Sequence, residues 1–491
     1  MSGTHFEKYK PAIFLSLLTA GAFLLHGYHP FAEDAEIYLP GVEAKLNPNL
    51  FPMGREFFAS HASLTLFPNM VAFSLRALHL RLEVGLLLWH VASIFLLLLA
   101  CWRLTGLCFP GLPNLRARWG GVCLIAALFT LPVAGTALYI MDQYLNPRNL
   151  AAFAGVYAIA CLLEKKYLRM GLWLVFAGAV HPLMAFFAFS LCALFLTLEK
   201  FGANLPTAAL WIPFGLSFAP ASPAYTEAVR FHGFHYILNW QWYEWVGILA
   251  PVVLFWWFAR IARSRHLLNL ERMCRALIVY DLIYFALALV ISVPKRFESL
   301  ARIQPLRSLH LLYILMLLFM GALIAEYILK NRVWRWLAFF LPLCAGMFTA
   351  QLALFPASAH VEWPWAAPRN EWAQAFLWVR QTTPVNAVFA VDPLYIQIPG
   401  EDTVGFRALA QRSRLADAVK DSGAVSMFPP LADEWLAQFD AQKDWKHFAG
   451  PDFLRLHDKY GVAWIILQQP GGAGLTCPYE NHTVMVCRIA P

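Results

Sequence analysis

The chain has 491 residues, 59% of them hydrophobic and only 14% charged, with a mean hydropathy of +0.54. A soluble protein of this length needs far more charge, since ordinary domains carry about 25% charged residues. The net charge of +8 does not point to nucleic acid: no basic stripe with interleaved aromatics occurs, and nucleic-acid binding needs one.

The apolar residues come in blocks such as Val84–Ala100 and Leu309–Ala325, and about 20 consecutive apolar residues cross the hydrocarbon of a bilayer as a helix. The pattern predicts a polytopic α-helical membrane protein with about eleven transmembrane helices, at 11–27, 83–104, 118–138, 148–163, 168–181, 183–199, 205–220, 245–262, 274–293, 309–329 and 333–355. The first apolar segment follows Lys8 and Lys10 as a signal peptide would, but His26-Gly27-Tyr28-His29-Pro30 stands where a small-x-small cleavage site belongs. A retained first helix is therefore expected. Segment 62–80 mixes Leu64, Phe67, Val71 and Leu75 with Pro68, Asn69, Arg76 and His79 and reads as an amphipathic helix lying at the interface.

Charge asymmetry orients these helices. Residues 1–359 hold 27 Lys and Arg against 16 Asp and Glu, and residues 360–491 hold 11 against 14. With the N-terminus inside, the inner loops 1–10, 103–118, 164–169, 199–204, 260–275 and 330–335 hold 17 of the 27, as cytoplasmic loops should. Making 62–80 a span would put Arg103, Arg116 and Arg118 outside. An odd number of helices then places the C-terminal part outside. The outer loops are 28–82, which is very long, and 139–147, 221–244 and 294–308; long ordered loops are uncommon unless they carry function.

From residue 360 the composition changes. Glu371–Thr382, Ala432–Phe439 and Phe453–Lys459 read as helices, and Ala387–Val391, Val462–Leu467 and Val484–Ile489 as apolar strands. Their alternation predicts a soluble α/β domain over 360–491, behind a transmembrane domain over 1–359. Seven of the nine cysteines lie in or beside apolar segments and read as small core residues. Cys477 and Cys487 fall in the C-terminal domain, where an oxidising compartment allows a disulfide or two free thiols.

The outer loops hold the candidate chemistry. Glu33-Asp34-Ala35-Glu36 sets three carboxylates in four positions just past the first helix. Acids at a membrane edge are costly unless solvated or paired; they can hold a divalent cation such as Mg or Mn or accept a hydroxyl proton, or simply form a solvated loop. Asp142 lies on the same outer face, with Arg148 able to pair with it or to bind a phosphate; a helix-capping loop is the plainer reading. His181 precedes Pro182 at a helical hairpin and is either a cap or a site residue. His232 and His235 lie in the aromatic loop 221–244, which suits sugar stacking and equally an interfacial belt. Arg296, Arg302 and Arg307 make 294–308 the one basic outer loop. Guanidinium groups bind phosphate bidentately, while lipid head groups or the C-terminal domain are alternative partners.

Taken together, these features resemble the GT-C fold, the membrane glycosyltransferases that use lipid-linked sugar donors. The resemblance rests on the first-loop motif Asp34-Ala35-Glu36, interfacial helix material at 62–80, a second outer-loop acid at Asp142, and an outer soluble domain that opens with Trp378–Phe389 and Phe406–Ser413. It implies that Asp34 is a catalytic base or metal ligand, with Glu36 as the motif's second acid and Glu33 beside it. Asp142 would be the second acid and metal partner, and Arg296, Arg302 or Arg307 would face the donor phosphate. Burial at the interface would raise a carboxylate toward a base's working range. No Trp-Trp-Asp occurs, unlike the soluble domain of oligosaccharyltransferases. The implied function is hexosyl or pentosyl transfer from a polyprenyl-phosphate donor at a bacterial inner membrane, with no nucleic-acid partner. A lipid or solute transporter, for which Asp281 is the main intramembrane acid, and a non-catalytic scaffold are the alternatives.

Overall fold

A computed structural model describes residues 3–110, 115–202, 220–292, 295–471 and 474–489. The apolar part begins with α1 (Gly3–His26), and the long first loop folds into α2 (Ala35–Leu46), α3 (Glu56–Leu64) and α4 (Phe67–Ala77). Then come α5 (Leu82–Cys108), α6 (Arg116–Ala127), α7 (Pro147–Leu163), α8 (Tyr167–Val180), α9 (Pro182–Phe201), α10 (Pro223–Arg230), α11 (Trp242–Ser264), α12 (Leu268–Ser292), α13 (Leu309–Ile324) and α14 (Val333–Leu354).

Among the described residues, six helices are long and apolar enough to cross a membrane, and Lys10–His26, Pro147–Leu163 and Tyr167–Val180 are shorter apolar helices. Among the described residues the expected count of about eleven is not confirmed. Segment 118–138 is the clearest departure: α6 stops at Ala127, and the chain runs on without helix to Asn146. Pro132 lacks the N–H that an α-helix needs, and Ala134 and Ala137 both take positive φ. The predicted helix at 205–220 lies outside the described residues.

Helix faces follow their surroundings. Leu168, Val175, Trp256 and Leu341 are exposed, as expected of side chains that face lipid rather than water. Inside the bundle, α6 and α13 touch backbone to backbone: a Cβ at Gly120 would lie 2.1 Å from Ala325 Cβ and 2.5 Å from Gly321 O. Small residues allow such close approach where apolar helices gain nothing from leaving lipid. The far end of α7 from Arg148 holds Glu164, paired with Arg103 at 2.5 Å. In the first long loop α4 buries Phe67, Val71 and Leu75 and leaves Phe73 73% exposed, which suits a helix lying on an interface.

The C-terminal part contains α15 (Glu371–Thr382), β1 (Val388–Val391), α16 (Phe406–Ala410), β2 (Ser413–Arg414), α17 (Lys420–Met427), α18 (Ala432–Ala441), α19 (Gly450–Tyr460), β3 (Trp464–Gln468), β4 (Thr476–Glu480) and β5 (Val484–Arg488). The sheet order is β2-β1-β3-β5-β4. β1 runs parallel to β2 and β3, and β5 runs antiparallel to β3 and β4. A disulfide joins Cys477 on β4 to Cys487 on β5. Two strands, β2 and β4, have no counterpart in the sequence pattern; β2 is two residues long and β4 includes Pro478.

The C-terminal part is built onto the first long loop. Tyr28 bridges Val361 and Ala32 bridges Val404. Gly405 N–H donates to Phe31 O at 2.7 Å, and one apolar core joins Phe31, Leu39 and Val71 to Trp372, Phe376 and Phe406.

Candidate functional site

Between these two parts lies a cavity of ≈ 570 Å³, within the range of small-molecule sites. Its wall includes Glu33, Asp34, Asp142, Arg148, His181, His232, Arg307 and Lys420. Seven residues singled out from the sequence thus converge, although they come from five separate segments.

Local structure aims each group. Glu33 takes φ +52° and turns the chain into α2. Asp34 stands at the N-cap of α2 but makes no side-chain capping bond. Its carboxylate instead meets two cations: Lys420 Nζ lies 3.0 Å from Oδ1, and Arg148 Nη2 lies 3.6 Å from Oδ2. Lys420 also reaches Glu33 Oε2 at 2.6 Å. Asn146 caps α7 through Arg148 N–H, with Pro147 at the first turn, and so points Arg148 at the cavity. The Arg148 guanidinium donates to both oxygens of Asp142, at 2.9 and 2.8 Å. One nitrogen therefore bridges the two acids.

These charges set the protonation states. Burial opposes the Asp34 charge, but Lys420 and Arg148 outweigh it and hold the carboxyl below the usual carboxylate range. The upward shift expected from interfacial burial does not occur at Asp34, because two cations replace the lost water. Burial does push Asp142 up, with Arg148 opposing. Burial and the charge of Arg148 push Arg307 down to about 10. Among the described residues Arg307 has no carboxylate partner within salt-bridge distance, and its buried Nε has no hydrogen-bond partner. It packs over the Phe234 ring at 5.3 Å. Its guanidinium is the cation best placed to take an anionic ligand.

His232 donates to or accepts from Ser422 Oγ at 2.9 Å, and burial, with Lys420 and Arg307 adding, pushes it down to about 4. It is a neutral imidazole. His181 lines the cavity while its Nδ1 caps α9 at Met184 N–H, 3.5 Å, so the capping reading and the wall position both hold.

Of the other expected residues, Glu36, His235 and Arg302 do not reach the cavity wall. Glu36 is wholly buried: its Oε1 meets Arg414 at 2.8 Å and Arg407 at 3.5 Å, and its Oε2 accepts Ala408 N–H at 3.2 Å. Helix periodicity explains this, since residues two apart on α2 point to different sides. Gly405 is needed beside it, because a Cβ there would lie 2.8 Å from Glu36 Oε2. His235 is buried beside a second, much smaller cavity with Arg307 and Phe234. Arg302 is exposed, and the side chain of Arg296 lies outside the described residues. Asp281 is buried within α12 and does not line the cavity.

Lys420 was not foreseen. It is held by its surroundings: Lys420 N–H donates to Asp417 Oδ1 at 2.5 Å, Arg414 pairs with Asp417, and Arg407 clamps Asp421 at 2.8 and 2.9 Å. The dense charge pattern from Arg407 to Asp421 was the available signal.

A divalent cation shared by Asp34 and Asp142 does not fit these residues. Arg148 stands between the two acids and Lys420 on the other face of Asp34. Among the described residues no group of three or more His, Cys, Asp or Glu can hold a metal ion.

No protein-family model matches the chain, and no curated protein matches it. Solved structures do. The Archaeoglobus fulgidus oligosaccharyltransferase tethered to an acceptor peptide with an NVT sequon shares 12% identity, over 95% of this chain and 70% of its own, with a TM-score of 0.50. The archaeal oligosaccharyltransferase AglB from the same organism, in complex with an inhibitory peptide and a dolichol-phosphate, aligns at 13% identity over 94% and 70%, with a TM-score of 0.49. The complex with Zn and sulfate aligns at 13% over 93% and 67%, with a TM-score of 0.45. Nearly the whole chain superposes on the first of these, so its fold is the GT-C fold.

Proposed function

We propose that the chain is a GT-C-type glycosyltransferase that moves a sugar from a polyprenyl-phosphate-linked donor to an acceptor at the outer face of a membrane. One observation carries the reading: Asp34, Asp142, Arg148 and Arg307, from three outer segments, line one cavity at the junction of the apolar helices and the C-terminal domain. Glycosyl transfer is also the activity named for the oligosaccharyltransferase that shares the fold.

The donor phosphate rests on Arg307, whose guanidinium suits a phosphate geometrically. The acceptor group lies against Asp34. Its oxygen attacks the anomeric carbon, the bond from that carbon to the phosphate oxygen breaks, and the polyprenyl phosphate leaves with its charge met by Arg307. The acceptor proton passes to Asp34. A carboxylate held at low pKa is a weak base, so its main contributions are to orient the acceptor and to stabilise positive charge on the sugar ring in the transition state. Arg148 and Lys420 keep it ionised and aimed. The aromatic groups Tyr38, Tyr139 and Phe231 form surfaces for the sugar and the first lipid unit. On this reading residues 1–359 form the membrane domain, with the N-terminus cytoplasmic, and 360–491 the outer domain of a bacterial inner-membrane protein.

The test is transfer from a polyprenyl-phosphate sugar by purified protein. Asp34→Asn keeps the shape and removes the charge. It is expected to lower kcat at least 100-fold with donor KM within a few-fold. A variant that keeps transfer within tenfold overturns the assignment.

A further inference from the structure

The acids of the first outer loop already have a resident cation, and it belongs to the chain. Lys420 Nζ lies 2.6 Å from Glu33 Oε2 and 3.0 Å from Asp34 Oδ1, the position a bridging metal ion would take between two carboxylates. The side chain of Lys420 is only 10% exposed. The second oxygen of Asp34 and both oxygens of Asp142 face Arg148. Three acids therefore meet two fixed cations: Glu33 Oε2 and both oxygens of Asp34 and of Asp142 each face one of them.

The lysine is not a surface side chain that happens to lean inward. Its backbone N–H is fixed by Asp417, and Asp417 and its neighbour Asp421 are held by Arg414 and Arg407. Those two arginines in turn grip Glu36, two residues from Asp34. The ammonium position is thus set by the same buried network that docks the C-terminal domain on the first outer loop.

We infer that Lys420 takes the place of a divalent cation at the Glu33–Asp34 acids, so that the C-terminal domain itself completes a metal-independent site. A divalent ion would have to displace an ammonium whose charge these acids already neutralise, and it would then face the repulsion of Arg148. Removal of Lys420 should uncover a cation site made of Glu33 and Asp34, with Asp142 nearby.

The inference takes its meaning from the transferase reading, but its test needs no substrate, so failure of one is distinct from failure of the other. Purified full-length protein in detergent is titrated with Mn²⁺, with free Mn²⁺ read by electron paramagnetic resonance. Wild type is expected to leave the free-ion signal unchanged at equimolar, submillimolar concentrations. Lys420→Gln and Lys420→Ala are each expected to take up about one Mn²⁺ per chain, and Lys420→Arg none. Adding Asp34→Asn to Lys420→Gln should abolish the uptake. Stoichiometric Mn²⁺ uptake by wild type that is lost in Asp34→Asn overturns the inference. So does a Lys420→Gln protein that melts as wild type does yet gains no Mn²⁺. The wild-type titration decides the point even if both neutral variants fail to fold.

Discussion

Removing Glu36 should loosen the docking of the C-terminal domain and leave the reacting groups in place. Glu36 is wholly buried on α2. Its Oε1 serves Arg414 Nε at 3.0 Å and Arg407 at 3.5 Å, and its Oε2 serves Ala408 N–H at 3.2 Å. Breaking a buried ion pair from one side costs about 3–5 kcal/mol. Arg407 keeps Asp421 and Arg414 keeps Asp417, which places Glu36→Ala near the lower end, at about 3 kcal/mol. That is about 100-fold in an opening equilibrium. Because the acid sits on the first long loop and its partners on the C-terminal domain, opening is expected between them. Hydrogen exchange read by mass spectrometry should speed up by about that factor over 405–427 and 35–46. The central strands at 464–468 and 484–488 should keep their protection. Glu36→Gln, which retains an acceptor for Ala408 N–H, should fall between. Unchanged exchange over 405–427 in Glu36→Ala refutes the clamp. Equal loosening in Asp34→Asn refutes the division of labour between the two acids.

Arg307→Ala should raise donor KM about ten- to a hundredfold, since a hydrogen bond to a charged group is worth about 1.5–3 kcal/mol; an unchanged KM in transfer kinetics removes the phosphate from this residue. His232 sits near pKa 4 in the folded chain, below its ordinary 6.5. The unfolded chain therefore takes up the proton first as pH falls: stability is full above about 6.5 and is lost between 6.5 and 4, on the order of 3 kcal/mol in all. Melting temperatures from pH 7 to 4 should drop less steeply in His232→Asn, and equal slopes would show that this imidazole is not a source of the acid sensitivity. The Cys477–Cys487 disulfide closes a ten-residue separation between β4 and β5, and its loss in Cys477→Ala/Cys487→Ala should cost about 2–3 kcal/mol. Coincident melts of oxidised and reduced protein would show that the hairpin holds without it.

Much of this protein is determined locally. Continuous apolar blocks can only be helices in lipid, and the helices α5, α7, α9, α11, α12, α13 and α14 stand where those blocks stand. α15 begins and ends where Asn370 can cap and Pro384 forbids extension. That Asp34, Asp142, Arg148 and Arg307 share one side was legible too, because charge asymmetry groups their loops together, and they line one cavity. Local pattern failed where the chain leaves its periodicity: α6 ends before Pro132 although the residues around it stay apolar, and β2 and β4 are too short or too interrupted to show alternation. The division of roles inside the acidic motif was decided only by tertiary structure. Asp34 and Glu36 are equivalent in sequence, yet one meets Lys420 and the cavity and the other meets Arg407 and Arg414. The partners lie 386, 371 and 378 residues away. An ion pair over such a separation has no periodic signature, since only the docking of the C-terminal domain on the first long loop brings its two halves together.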